Sequence, residues 1–204
     1  MPAGTTNFNK QKTMWNPGYV YYGCAVPAPG AIITVVIDAN GIPTPDATEN
    51  PNHIHLGYTP KGTKCLYKWT KTDATDNEHT MPHDVRLTGE EMTITGQWKQ
   101  LLDADLLEKM SVGGTKSSIT GGTLIDFGGQ DVLTPACIAV FAPRKEDPTK
   151  IIQFVLYSAY NTEGVEFTND KDAEADSPFT FVGLSLANRP KKKQAGYIYI
   201  PSLS

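Results

Sequence analysis

Apolar and polar residues alternate through much of the chain, and a period of two is typical of half-buried β-strands. The clearest case lies at 92–98, where Met92, Ile94 and Trp98 alternate with threonine and glutamine. A second case is 65–70, where Cys65, Tyr67 and Trp69 share one face. The other predicted strands lie at 19–26, 32–37, 56–59, 137–142, 151–160, 179–186 and 197–200. Within 179–186 the apolar positions shift by one residue after Phe181, which predicts a β-bulge.

One stretch has a helical period instead. Leu102, Leu106 and Met110 stand four residues apart, and Gly113 is a residue that commonly ends helices. The spacing predicts one α-helix over about 99–112. The fold class that follows is mainly β, a β-sandwich or small barrel with one flanking α-helix and long loops, formed by a single domain over 1–204.

Three segments have no apolar periodicity: an N-terminal arm at 1–16, a loop at 38–53 and a glycine-rich region at 113–129. Loops of this length are uncommon in compact domains and are usually functional or disordered. The chain contains 18 glycines and 15 prolines, which would interrupt a coiled coil or helical bundle. Composition therefore supports the β-rich interpretation.

Charge and cysteine content narrow the function classes. The net charge of -4 argues against a protein that binds nucleic acid tightly. The same charge is compatible with a surface along which DNA passes without binding. Cys24, Cys65 and Cys137 form no CxxC pair, so free thiols in a reducing compartment are expected. The longest apolar stretch, 32–37, is too short to cross a bilayer, so no membrane insertion is expected.

His53-x-His55 is the best candidate metal signal, because alternate residues of a strand project to one face. Two imidazoles are too few ligands to make a site alone, so no metal or other cofactor is expected. A β-sandwich metal-binding or enzymatic module that uses this pair is the alternative hypothesis. No catalytic residues and no enzymatic activity are predicted, since no nucleophile motif occurs.

Two loops carry opposite charge. Lys191, Lys192 and Lys193 form the only basic run, and an acidic segment at 163–176 includes Asp172 and Asp176. Loops of opposite sign on one subunit could pair head to tail between copies, although each exposed pair contributes only ~0–1 kcal/mol. This pairing is a hypothesis that salt dependence of assembly would test.

The order of features resembles the major tail tube proteins of long-tailed, siphovirus-type bacteriophages. The resemblance lies in 56–62 (LGYTPKG), in 88–95 (TGEEMTIT) leading into the helix, and in 179–184 (FTFVGL) followed by the last strand, 197–200. It extends loosely over 18–200 as a pattern of element order and short phrases.

The resemblance implies a virion protein that self-assembles into hexameric rings, which stack into a tail tube for genome delivery. It implies assembly in the host cytoplasm, a final location in the virion tail, and contacts with tail completion, tip and tape-measure proteins. DNA would pass through without specific binding. Some family members carry an extra C-terminal immunoglobulin-like domain, for which this chain, ending at Ser204, has no room. Another virion ring or decoration protein is a further alternative.

Within that scheme the aperiodic segments are expected to make contacts between subunits or rings. The predicted contact residues are Phe8, Trp15, Asp38, Asn40, Gly41, Asp46, Glu49, Asp172, Asp176, Lys191 and Lys192. Glu90 and Glu91 are the predicted lumen-facing acids, since negative charge would repel the phosphates of passing DNA.

Overall fold

A computed structural model describes residues 18–57, 59, 62–74, 84–99, 103–111, 114–129, 133–166, 177–191 and 193–202. The strands within this part are β1 (Tyr19–Cys24), β2 (Val35–Ile37), β3 (Pro43–Pro45), β4 (Ile54–His55), β5 (Lys64–Ala74), β6 (Asp84–Trp98), β7 (Thr115–Ile119), β8 (Gly122–Asp126), β9 (Ala136–Pro143), β10 (Ile151–Asn161), β11 (Ser177–Gly183) and β12 (Gly196–Tyr199). The one helix among these residues is α1 (Ala104–Met110). The predicted mainly β fold with one helix is confirmed.

Eight strands form the main sheet, in the order β4-β1-β9-β10-β11-β6-β5, with β12 also paired to β10. Every pairing in this sheet is antiparallel. Two smaller sheets are the hairpins β2–β3 and β7–β8. None of the three sheets closes on itself within the described residues, so the architecture is consistent with an open β-sandwich.

The two central strands, β9 and β10, are buried along almost their whole length. Ile138 and Val140 of β9 project into one apolar cluster, which also contains Trp98, Phe179 and Phe181. Their neighbours in β9 project to the opposite face, where they join a second cluster; its members from β1, β9 and β10 include Tyr21, Ala139, Phe141 and Val155. A strand that is buried on both faces reads as a continuous apolar run, which explains the sequence of β9.

Helix α1 contributes three side chains to the first cluster. The carboxylate of Asp103 caps it by accepting hydrogen bonds from the N–H groups of Asp105 (3.0 Å) and Leu106 (3.2 Å). Leu106, Leu107 and Met110 are buried against the sheet. The helix is shorter than the predicted 99–112, because Asp103 holds extended backbone as the N-cap and Ser111 does so as the C-cap.

Four local predictions were wrong. The strand expected at 56–59 is absent from the described residues 56, 57 and 59, and β4 precedes it at Ile54–His55. The 38–53 loop contains β3, which pairs with β2, and the glycine-rich 113–129 region contains the β7–β8 hairpin. The predicted bulge after Phe181 is absent, since the register of β11 with β6 runs unbroken from Ser177 to Val182. Shifts of register occur instead in the pairings of β1, β5 and β10.

β11 and β12 pair with different parts of β10 along the same edge of that strand. β10 pairs with β12 through Gln153–Leu156 and with β11 through Ala159–Asn161. Between them, the chain leaves β10 after Leu184, whose N–H donates to Ser158 O at 2.7 Å, and returns at Ala195, whose carbonyl accepts from Tyr157 N–H at 3.0 Å. Within this excursion Leu186 N–H donates to Gln194 O at 3.0 Å. One sheet position is therefore filled by two strands separated by an excursion.

Candidate self-association surface

The β5–β6 hairpin is the longest feature of the main sheet and ends it on one side. β5 has 11 residues and β6 has 15. Within the described residues β5 pairs only with β6, so its outer edge has no strand partner there. An unpaired edge of this length presents a row of N–H and C=O groups that can pair with another chain.

Large apolar side chains are exposed on this hairpin. Tyr67 is 43% exposed, Trp69 58% and Leu87 61%. The rings of Tyr67 and Trp69 lie 6.0 Å apart between centroids, as expected of residues that share one face of a strand. Leu87 lies opposite Lys71, just beyond the bulge that follows Thr70. The edge therefore combines backbone that lacks a described partner with apolar surface. We use the name hairpin surface for β5 together with the exposed side chains of Tyr67, Trp69 and Leu87.

A hydrogen bond orders the aromatic part of the hairpin surface. The Tyr67 hydroxyl donates to Oε1 of Glu90 at 2.7 Å, and this bond raises the pKa of Tyr67. Glu90 lies directly opposite Trp69 in the register of the hairpin. A carboxylate thus fixes the Tyr67 ring without covering it.

A groove of about 570 Å³ separates this hairpin from β12. Its lining includes Tyr67, Glu90 and Met92 on the hairpin side and Tyr197 and Ile198 on the β12 side. The groove exists because β11 pairs with β6 only from Thr93 onward, so β6 residues 84–92 lack a described partner on that side. β12, which would continue the position of β11, pairs only with β10 in the described part of the chain. Two further strand edges at this groove therefore have no strand partner among those residues.

The predicted contact residues in 38–53 have local structural roles. Oδ1 of Asp38 accepts from the N–H groups of Asn40 and Ile42, each at 2.8 Å, and Gly41 adopts φ +77° in the β2–β3 turn. Oδ1 of Asp46 accepts from Thr48 N–H at 2.7 Å, and this bond lowers the pKa of Asp46. Asp38, Asn40, Gly41 and Glu49 are exposed, so contacts with another subunit stay a prediction for them.

Sequence reasoning missed the residue that secures this loop. Asn50 is 2% exposed; its Oδ1 accepts from Ala25 N–H at 2.8 Å and its Nδ2 donates to Asp46 O at 3.1 Å. An asparagine in a polar loop gives no signal of burial. The loop is therefore held against the end of β1 and is part of the folded domain surface.

Of the remaining predicted contact residues, one is exposed and the others lie outside the residues that the structure describes. Lys191 is exposed. Phe8, Trp15, Asp172, Asp176 and Lys192 lie outside the described residues. Arg189, next to the basic run, is buried: its guanidinium lies 3.6 Å from the Tyr157 ring centroid and donates to Pro27 O. The basic character of this loop is therefore smaller at the surface than the sequence suggests.

Glu90 and Glu91 are both exposed and are adjacent in β6. Consecutive residues of a strand project to opposite faces. A lumen formed by one face of the hairpin would therefore be lined by one of the two carboxylates. Glu90 shares its face with Tyr67, to which it is hydrogen bonded.

The two histidines pack in an aromatic cluster. The rings of His53 and His55 lie 5.7 Å and 4.8 Å from the Tyr21 ring centroid. His53 Nδ1 contacts Asn50 O at 2.6 Å, and burial lowers the pKa of His55. Within the part of the chain that the structure describes, no three histidine, cysteine or acidic side chains are grouped as a metal site requires. The pair has a packing role here, and no observation adds the further ligands that a metal site would need.

None of the helical residues in the described ranges forms a segment long and apolar enough to span a bilayer. The chain matches no protein-family model, and no curated protein sequence is significantly similar to it.

Proposed function

We propose that this protein is a structural subunit that self-assembles through the hairpin surface, and that the assembly is the tail tube of a long-tailed bacteriophage. The hairpin surface carries the first part of the proposal. A strand edge of 11 residues beside three exposed apolar side chains is a surface that a solitary protein would be expected to cover. The second part comes from the resemblance in element order.

The geometry supports a head-to-tail contact. Among the described residues, the edge of β5 without a strand partner ends the main sheet on one side, and the two-residue strand β4 ends it on the other. When the two contacting surfaces of a subunit differ, the contact either closes a ring or propagates a filament. Six subunits closed in this way and then stacked would form the proposed tube.

Charge is consistent with a conduit for DNA. The chain has a net charge of -4, and Glu91 is exposed on the face of β6 opposite to the one that carries Tyr67 and Trp69. A lumen that carries carboxylates repels phosphates, so DNA would slide without binding. In this proposal the subunit resides in the virion tail, acts without a cofactor, and contacts completion, tip and tape-measure proteins at the ends and inside of the tube.

The test compares two exposed apolar residues that lie on different hairpins. Trp69→Ala removes the centre of the hairpin surface, whereas Ile119→Ala removes a side chain that is 54% exposed on β7. A buried tryptophan at the centre of an interface contributes about 2 kcal/mol or more, which is roughly a thirtyfold change in affinity. We expect the critical concentration for assembly to rise about thirtyfold for Trp69→Ala and to change little for Ile119→Ala.

Light scattering against protein concentration measures this value, and circular dichroism checks that both variants are folded. Equal assembly by the two variants would exclude the hairpin surface as the interface. Closed rings that never stack would favour the alternative of a virion ring or decoration protein over a tube.

A further inference from the structure

Two of the three cysteines lie directly opposite each other in the main sheet. Cys24 of β1 is in register with Cys137 of β9. Both are buried, with exposures of 5% and 3%. Directly opposed residues in antiparallel strands have Cβ atoms about 4.5–5.5 Å apart, and a disulfide needs about 3.5–4.5 Å. A local shift of about 1 Å would therefore bring the pair to bonding geometry.

The backbone beside Cys24 is suited to such a shift. The register of β1 with β9 slips between Tyr22 and Cys24, so Gly23 is left out of the regular pairing. Gly23 adopts φ +77°, a conformation that glycine tolerates without strain. Cys24 thus follows an irregular point in its strand, where the ladder does not fix it on both sides.

A buried cation faces the same cluster. Arg189 is 8% exposed, and its Nη1 has no hydrogen-bond acceptor in the described part of the chain. Its positive charge opposes the effect of burial on the pKa of Cys137. Burial nevertheless dominates and raises the pKa of both thiols, that of Cys24 to about 12, so thiolate is scarce near neutral pH. Oxidation of the pair should accordingly be slow and should accelerate as pH rises.

We propose that Cys24 and Cys137 are an oxidation site, at which an intrachain disulfide forms when the protein meets a peroxide. The thiolate of one cysteine of the pair attacks one peroxide oxygen, which breaks the O–O bond and gives a sulfenic acid and hydroxide. The sulfur of the other cysteine then displaces the sulfenic oxygen, and water leaves as the S–S bond forms. Two electrons and two protons pass from the thiols, and hydrogen peroxide is reduced to two waters.

The third cysteine is an internal control. Cys65 lies on β5 opposite Ile94, with no second thiol across from it. A bond between Cys24 and Cys137 would close a loop of more than a hundred residues, and long loops restrict the unfolded chain most. In a virion, the disulfide would form after release from the reducing cytoplasm and would stabilise the assembled subunit. This consequence rests on the proposed function, whereas formation of the bond itself does not.

The experiment treats the full-length protein with hydrogen peroxide at a concentration where it is monomeric, so that the outcome is independent of tube formation. Expected results are a mass lower by two hydrogens, a single thiol titratable after denaturation, and a non-reduced peptide that joins Cys24 to Cys137. The thermal midpoint should rise and return to its starting value on reduction. Cys65→Ser should form the same bond at the same rate.

Three titratable thiols after prolonged treatment would overturn the proposal. Oxygen added to Cys24 or Cys137 without loss of two hydrogens, or a bond that includes Cys65, would also overturn it. Peptide mapping of the oxidised wild-type protein shows whether Cys24 and Cys137 are joined, so the test stands even if Cys24→Ser fails to fold.

Discussion

The hydroxyl of Tyr197 donates to Oε1 of Gln153 at 2.7 Å, which ties β12 to the first part of β10. The same hydroxyl accepts from Ile33 N–H at 2.9 Å, and Gln153 Nε2 donates to Ile33 O at 2.9 Å. This closed set of three hydrogen bonds joins β10, β12 and the segment that precedes β2. It fixes one wall of the groove beside the hairpin surface.

Removing the Tyr197 hydroxyl should destabilise the protein measurably. Tyr197→Phe leaves Gln153, which is 3% exposed, with an unsatisfied acceptor, and it leaves Ile33 N–H without a partner. We expect the free energy of unfolding to fall by about 1–3 kcal/mol. Urea unfolding measures the loss. Tyr199→Phe, on the same strand, is the control and should change stability little; equal losses in the two variants would contradict the role of the network.

The backbone contact at Gly196 should not tolerate any side chain. A Cβ placed at Gly196 would lie 2.0 Å from Val155 O, in the pairing between β12 and β10. Gly196→Ala should therefore push β12 away from β10 and cost about 1–3 kcal/mol or more. Gly122→Ala is the matched control, because no atom beyond its two chain neighbours lies within 4 Å of its Cβ position. Hydrogen exchange should show lost protection in β12 for the first variant only; retained protection would contradict the contact.

Stability should fall as pH falls through the titration of His55. Burial lowers the pKa of His55 in the folded protein, so the unfolded chain binds the proton more readily. Its contribution to stability is complete above the unfolded pKa of about 6.5 and is lost as pH falls from there toward the lower folded value. Asp38 acts in the opposite direction and His53 in the same direction as burial.

Urea midpoints between about pH 7.5 and about pH 5 test this pH dependence, because only part of the carboxylate titration falls in that range. The protein with His55 should lose more stability across the range than His55→Gln does. Identical pH profiles for the two proteins would show that His55 is not the group responsible.

The strands that build the core were predictable because burial leaves a strong apolar pattern. The predicted 137–142 and 151–160 correspond closely to Ala136–Pro143 and Ile151–Asn161. β3 was missed because Pro43-Thr44-Pro45 has little strand propensity. It pairs with β2 because the Asp38 turn brings the two segments together.

The candidate surface was only partly predictable. The shared face of Tyr67 and Trp69 followed from their spacing and is confirmed by their ring contact. Their exposure did not follow, because the same alternation is typical of half-buried strands and says nothing about which face is covered. The extension of β5 to Ala74 and of β6 back to Asp84 also gave no signal. Residues 71, 72 and 86–88 are exposed, and exposed strands lack a contrast between apolar and polar faces.

The central claim is that the subunit forms a tube, and electron microscopy of the purified protein at high concentration tests it most directly. Negative-stain images should show long hollow tubes of constant diameter, whose cross-sections have sixfold symmetry. A protein that stays monomeric at every concentration, ionic strength and incubation time tried would contradict the claim.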